Sequence, residues 1–202
     1  MITTTQKILI VLIKDFSAIH TATSLAQQLK MSRWGVWKII KKLQQDGIIK
    51  LKPIGKGKTN TQTICLNWNS QLVEKMITLA LAQEASACKR WSFTFADLEP
   101  EVDFLLLYGS ILHSPLTARD VDIVCIAKEK KLSKINQLIF TLQQTQEKKI
   151  DSYLFTAKEF SQELQKQNRA FLDALRRGVI LFGQKKFIEF AEGFLNDERK
   201  SL

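Results

Sequence analysis

Asp120 and Asp122 lie two residues apart inside the apolar run "DVDIVCIA", and Gly109-Ser110 ends an earlier apolar run, "VDFLLLYG". Side chains alternate faces along a strand, so both carboxylates point the same way, about 7 Å apart at Cα, while Val121 and Ile123 turn to the core. Two like charges on one face repel, and their burial is costly unless a cation is shared between them. A hard divalent ion such as Mg2+ suits the pair, because it takes one or two carboxylates and completes its shell with water and phosphate oxygens. Gly109 permits a sharp turn, and the amides and hydroxyl beyond it, at an expected helix start, can hold a phosphate. A phosphate cradle beside a metal-binding carboxylate pair is the minimum kit for nucleotidyl transfer. The plainer alternative makes Asp120 a turn residue and Asp122 an exposed edge residue.

Those residues need a sheet to hold them. After the two apolar runs, "LSKINQLIFTLQQTQE" places Ile135, Leu138, Ile139 and Leu142 on one side of a helix, and "KKIDSYLF" reads as a third strand. The tail is mostly helical around a short apolar "GVILFG". Strand and helix in alternation imply an α/β (α+β) class, a small mixed sheet covered by helices.

The first part of the chain has a different character. Residues 1–70 hold eleven bases and two acids, a balance of +9 out of the +10 of all 202 residues. That asymmetry points to two units with different partners, the first facing a polyanion. Residues 5–14 read as a helix with Ile8, Leu9, Val11 and Leu12 on a broad face, and "TATSLAQQLK" reads as a second, short one. In "SRWGVWKIIKKLQQDGII", Ser32 is a good N-cap, Val36, Ile40 and Leu43 form an apolar stripe, and Asp46-Gly47 closes the helix. Its other face presents Arg33, Trp34, Trp37, Lys38 and Lys41; the two tryptophans serve equally well as core residues or as contacts to a base. "IIKLKPIGKGKTNTQTICLN" reads as two strands around a turn that carries Lys56 and Lys58.

Three helices followed by a basic hairpin resemble a winged helix-turn-helix domain over about residues 5–67. The resemblance implies DNA (or RNA) binding, with Arg33, Trp34, Trp37, Lys38 and Lys41 entering a groove and Lys56 and Lys58 on the wing reaching phosphates. The strand, Gly-Ser, nine residues and Asp-x-Asp in a second strand resemble the polymerase-beta-like nucleotidyltransferase superfamily, in particular its minimal members, over about residues 90–185. That resemblance implies a third carboxylate, for which Asp151 stands in the matching place, and two Mg2+ (or Mn2+) ions among Asp120, Asp122 and Asp151. It implies an NTP substrate whose terminal phosphates meet Gly109 and Ser110, and Asp151 as acceptor of the attacking hydroxyl's proton. The chain departs from the pattern after Gly-Ser: Ile111, Leu112 and His113 stand where small members carry an arginine and small residues. Arg119 can pair with the carboxylates or with a phosphate, and His113 is either a phosphate contact or a surface residue.

The expected organisation is a winged helix-turn-helix domain at 1–67, a connecting helix at 68–88 with Leu72, Val73, Met76, Leu79 and Ala80 as its apolar stripe, and a nucleotidyltransferase domain at 89–202. No apolar run reaches the roughly 20 residues that span a bilayer, and no secretory signal is evident, so a cytoplasmic location without membrane partners is expected. Cys65, Cys88 and Cys125 lack metal-site or disulfide spacing. Two functions follow. The first is an Mg2+-dependent nucleotidyltransferase acting on a nucleic-acid end, a protein side chain or a small molecule, targeted or autoregulated through DNA binding. The second is a DNA-binding regulator or antitoxin-like protein, as in toxin-antitoxin pairs, whose second domain only binds nucleotide or a protein partner.

Overall fold

The computed structural model describes residues 2–15, 18–54 and 61–200, with side chains through residue 195. It divides into two compact units, Met1–Ala80 and Leu81–Leu202. The division falls within the helix expected to connect them.

In the N-terminal unit, α1 (Thr4–Lys14) starts at a capping box in which Thr3 and Gln6 satisfy each other's backbone amides. It buries Ile8, Leu9, Ile10, Leu12 and Ile13, so the core stripe takes in Ile10 and Ile13 and leaves Val11 half-buried. α2 (Ala22–Gln28) is capped by Thr21 and buries Leu25 and Ala26. α3 (Arg33–Gln45) is capped by Ser32, whose hydroxyl accepts from the Gly35 amide, and buries Val36, Ile40 and Leu43 as the periodicity requires. The chain leaves α3 through Gly47 with the Ile48 amide donating back to the Leu43 carbonyl at 2.8 Å. β1 (Ile49–Ile54) and β2 (Thr61–Leu66) pair antiparallel from Ile49 opposite Leu66 to Ile54 opposite Thr61. The Ile64 amide donates to the His20 carbonyl at 2.8 Å, which ties the approach to α2 onto the hairpin.

α4 (Gln71–Ala85) buries Val73, Ile77, Ala80 and Leu81, whereas Leu72 and Leu79 are exposed. The expected stripe is therefore rotated by about one residue. Both stripes are apolar and helically spaced, and only the packed partner decides between them.

The C-terminal unit contains α5 (Lys89–Thr94), β3 (Phe104–Tyr108), β4 (Asp120–Ile126), α6 (Glu129–Gln143), β5 (Lys149–Phe155), α7 (Ala157–Gln165), α8 (Arg169–Arg177), β6 (Val179–Phe182) and α9 (Gln184–Lys200). The four strands form a mixed sheet in the order β5-β4-β3-β6. β3 runs antiparallel to β4 and β6, and the β4-α6-β5 crossover makes β4 and β5 parallel. One face of the sheet, carrying Leu105, Leu107, Val121, Ile123, Cys125 and Ile150, packs into one core with Trp91, Phe95, Ile135 and Ile139. Near one end of the other face, Phe104 and Phe155 join Phe160, Phe171, Phe187 and Phe190 of α7, α8 and α9 in a network of edge-on and tilted rings. Among the described residues, no helix is long and apolar enough to cross a membrane.

Candidate functional site

The register of β4 on its neighbours builds the acidic site. Asp122 lies opposite Asp151 on β5 and opposite Tyr108 on β3, and Asp120 lies opposite Lys149. One further step along the same face come Val124, Tyr153 and Leu106, and then Ile126, Phe155 and Phe104. This face therefore changes from charged to aromatic along its length. The helices cover the aromatic end, and the carboxylates are left half-buried at the other.

Asp120, Asp122 and Asp151 each bring a carboxylate oxygen within 4.8 Å of the other two. Burial first, and then the charges of Asp120 and Asp151, holds the Asp122 carboxyl above the ordinary aspartate range. Burial and the same carboxylates push the Tyr108 phenol well up. Lys149 Nζ donates to Asp151 Oδ1 at 2.5 Å, and that bond raises the Lys149 ammonium above its usual value. Asp151 is positioned by the end of α6: the Gln143 side chain accepts from the Ile150 amide at 2.7 Å and donates to the Lys148 carbonyl at 3.2 Å. Lys148 Nζ donates in turn to the Ala118 carbonyl, tying the approach to β4 to the approach to β5. Three oxygen donors gathered in a partly desolvated place, with only the Lys149 ammonium on Asp151 to offset their mutual repulsion, fit a hard divalent cation.

Gly109 sits against this cluster. Its φ of 82° is a conformation that favours glycine, and a Cβ there would lie 2.0 Å from Asp122 Oδ2. The carboxylate thus occupies the space that the missing side chain leaves. Beyond Gly109 the expected helix start is a single 3-10 turn, Ser110–Leu112, too short to bring a helix dipole. Within it Ile111 is buried in the core and Leu112 packs against that core. The unusual Ile-Leu pair is thus structural, and His113 is exposed.

A cavity of about 330 Å³ opens beside this turn, lined by Tyr108, Gly109, Ser110, His113, Asp173 and Arg177 together with Ala170 and Ala174. Arg177 reaches it because α8 ends close to β3: a Cβ at Gly178 would meet the Leu107 carbonyl oxygen at 2.8 Å. Arg119, the arginine expected near phosphate, is exposed and does not line this cavity. Arg177 went unmarked in the sequence because it is 57 residues from Asp120 and reaches the site only through the packing of α8; its one local signal is the "RRG" step before a strand.

In the N-terminal unit, Trp34 is 66% exposed, which removes it from the core, and Trp37 is half-buried. Lys38 Nζ lies 3.6 Å from the Trp34 ring centroid and Lys41 Nζ 4.9 Å from that of Trp37. Arg33, Trp34, Trp37 and Lys41 line a groove of about 580 Å³ with the start of α2 and with Thr61 and Gln62 of β2. Lys56 and Lys58, expected on the wing, lie outside the described residues.

Residues 4–55 match a family described as an HTH domain. The N-terminal unit therefore contains a helix-turn-helix domain, with the β1-β2 hairpin following its third helix. Among curated proteins, none matches the chain. A solved structure of a mutant of ZitR from Lactococcus lactis is 24% identical over 50% of this chain and 62% of its own, with a TM-score of 0.31. That score is too low for a common architecture to be drawn from it.

Proposed function

We propose that the chain is a DNA-binding protein whose second unit transfers a nucleotidyl group from an NTP to a hydroxyl acceptor in a reaction dependent on Mg2+ or Mn2+. The observation that carries the reading is the convergence of Asp120, Asp122 and Asp151 beside the Gly109-Ser110 turn. The helix-turn-helix match supports the DNA-binding half, and the transferase half rests on this geometry and on the resemblance of its motif.

The residues divide the work. Asp120, Asp122 and Asp151 would hold the divalent cations. Bound there, such cations supply Lewis acidity to the attacking hydroxyl and to the departing pyrophosphate. Asp151 accepts the proton of the attacking hydroxyl, whose oxygen bonds to the α-phosphorus as the bond from that phosphorus to the α-β bridging oxygen breaks. Ser110, His113 and Arg177 hold the β- and γ-phosphates in the adjoining cavity, Arg177 as a fork-shaped donor. Asp173 on the cavity wall, 3.6 Å from Arg176, keeps the local charge from becoming purely cationic.

A second reading is a DNA-binding regulator, antitoxin-like in type, whose second unit binds nucleotide or a protein partner without turnover. The helix-turn-helix match supports it directly, and so does the loss of the arginine expected after Gly-Ser. Incubation with each labelled NTP, Mg2+ or Mn2+, and RNA, DNA and protein acceptors separates the two. Label transfer by the native chain, absent in Asp120→Ala/Asp122→Ala, supports the enzyme. Metal-dependent nucleotide binding without transfer supports the regulator, and neither binding nor transfer removes the nucleotide from both.

A further inference from the structure

The groove of the N-terminal unit has more in it than phosphate contacts use. Trp34 on α3 is 66% exposed, an unusual place for a large apolar ring unless something covers it. Lys38 and Lys41 each stand over an indole ring, so aromatic faces and cations alternate along the helix. Gln62 of β2 lines the same groove, and its Oε1 is buried with no hydrogen-bond partner among the described residues. A buried amide oxygen without a donor is a cost that a ligand N–H removes once a turn of the Gln62 side chain brings the oxygen to the groove. The groove's volume of about 580 Å³ is in the range of small-ligand sites, and its residues lie within the most basic stretch of the chain.

Duplex DNA cannot use these features together. Its major groove shows base edges, while the faces of the bases are stacked on one another. Phosphates alone engage the lysines and leave the rings and Gln62 idle. An unpaired base has a π-face for an indole and an edge with N–H donors, and its flanking phosphates match the cations. We propose that this groove binds an unstacked nucleobase of a single-stranded nucleic acid, with Trp34 and Trp37 as stacking platforms, Gln62 accepting from the base edge, and Arg33, Lys38 and Lys41 on the neighbouring phosphates. The inference rests on the nucleic-acid-binding reading of this unit and narrows its ligand.

The test uses the full chain with labelled oligonucleotides of about twelve nucleotides: a mixed-sequence single DNA strand, the same sequence as RNA, and the DNA duplex. Affinity is read by anisotropy and stacking by tryptophan emission. A single strand is expected to quench emission and to bind more tightly than the duplex, with the DNA and RNA arms showing which sugar is preferred. Trp34→Leu, an exposed position that the fold does not depend on, is expected to raise the single-strand Kd roughly tenfold. The same variant leaves the slope of log affinity against log salt unchanged, whereas Arg33→Ala/Lys38→Ala/Lys41→Ala flattens it. Tighter binding to the duplex without quenching by either single strand overturns the proposal, as does a Trp34→Leu variant that binds single strands like the native chain. In both cases salt-dependent duplex binding would leave the broader reading standing. Absence of salt-dependent binding to all three removes both.

Discussion

The two units carry opposite charge at their candidate sites. On α3 of the N-terminal unit, Arg33, Lys38 and Lys41 stand exposed and can meet a polyanion directly. On β4 and β5, Asp120, Asp122 and Asp151 would repel the same polyanion unless a cation came between. The first arrangement acts at a distance and is screened by salt. On the proposed reading the second would act only at contact and only with its ion, and so would fix where a phosphorus atom sits. A protein that held only the first could gather nucleic acid; under the proposed transferase reading the second would make a particular phosphate reactive.

The sharpest way to break this contrast is Asp120→Ala/Asp122→Ala. Loss of the cation ligands should lower label transfer by on the order of 10³-fold, since several kcal/mol of transition-state stabilisation goes with them. DNA affinity of the same variant should stay unchanged in a binding assay without divalent ions. A transfer rate near that of the native chain would end the transferase reading. Salt is the complementary probe. Raising it from about 50 to about 200 mM should weaken DNA binding by on the order of 10²-fold or more if five or so phosphates are neutralised. Nucleotide binding at the carboxylates, with Mg2+ held saturating, should fall much less over the same range.

Within the C-terminal unit, Arg177→Ala should raise the KM for NTP about tenfold, the value of a hydrogen bond to a charged group, while Arg119→Ala should leave it within about twofold. Equal effects would contradict the cavity's lining. Gly109→Ala should lower stability by roughly 1–3 kcal/mol, read as a fall in Tm, because the new Cβ meets Asp122 and the backbone is held at positive φ. The smallest effect concerns pH. Asp122 is held above the ordinary aspartate range, so its ionisation opposes folding. The stability that it withholds is complete above the raised value and returns as pH falls through it, vanishing below the unfolded aspartate's value. Asp122→Asn should therefore raise the metal-free Tm slightly at neutral pH and not at about pH 3. Mg2+ should raise the Tm of the native chain and not of this variant.

Where a residue's fate depended on local spacing, the sequence was a good guide. Val36, Ile40 and Leu43 are the apolar set that suits a strongly basic helix, and they are the buried ones. The period of two along "DVDIVCIA" put both aspartates on one face and Val121 and Ile123 on the other, as the strand register has it. α4 offered two overlapping apolar stripes that share Val73 and Ala80, and nothing local chose Ile77 and Leu81 over Leu72 and Leu79. Arg177 and the buried role of Ile111 depend on how α8 and the Gly109 turn pack on the sheet, which spacing does not encode. The exposed Trp34 was undecided for the same reason, because a tryptophan's side of a helix follows from what else is there to cover it.

Asp122 and Asp151 are neighbours across strands that the chain joins only after a fifteen-residue helix, α6. During synthesis, a ribosome that has released β3 and β4 has released two of the three carboxylates and none of their geometry. The third arrives with β5, and the trio closes only when α6 has folded back and the parallel pairing has formed. A chain stalled before β5 therefore has no assembled acidic cluster, although every described element of the helix-turn-helix unit has already been made.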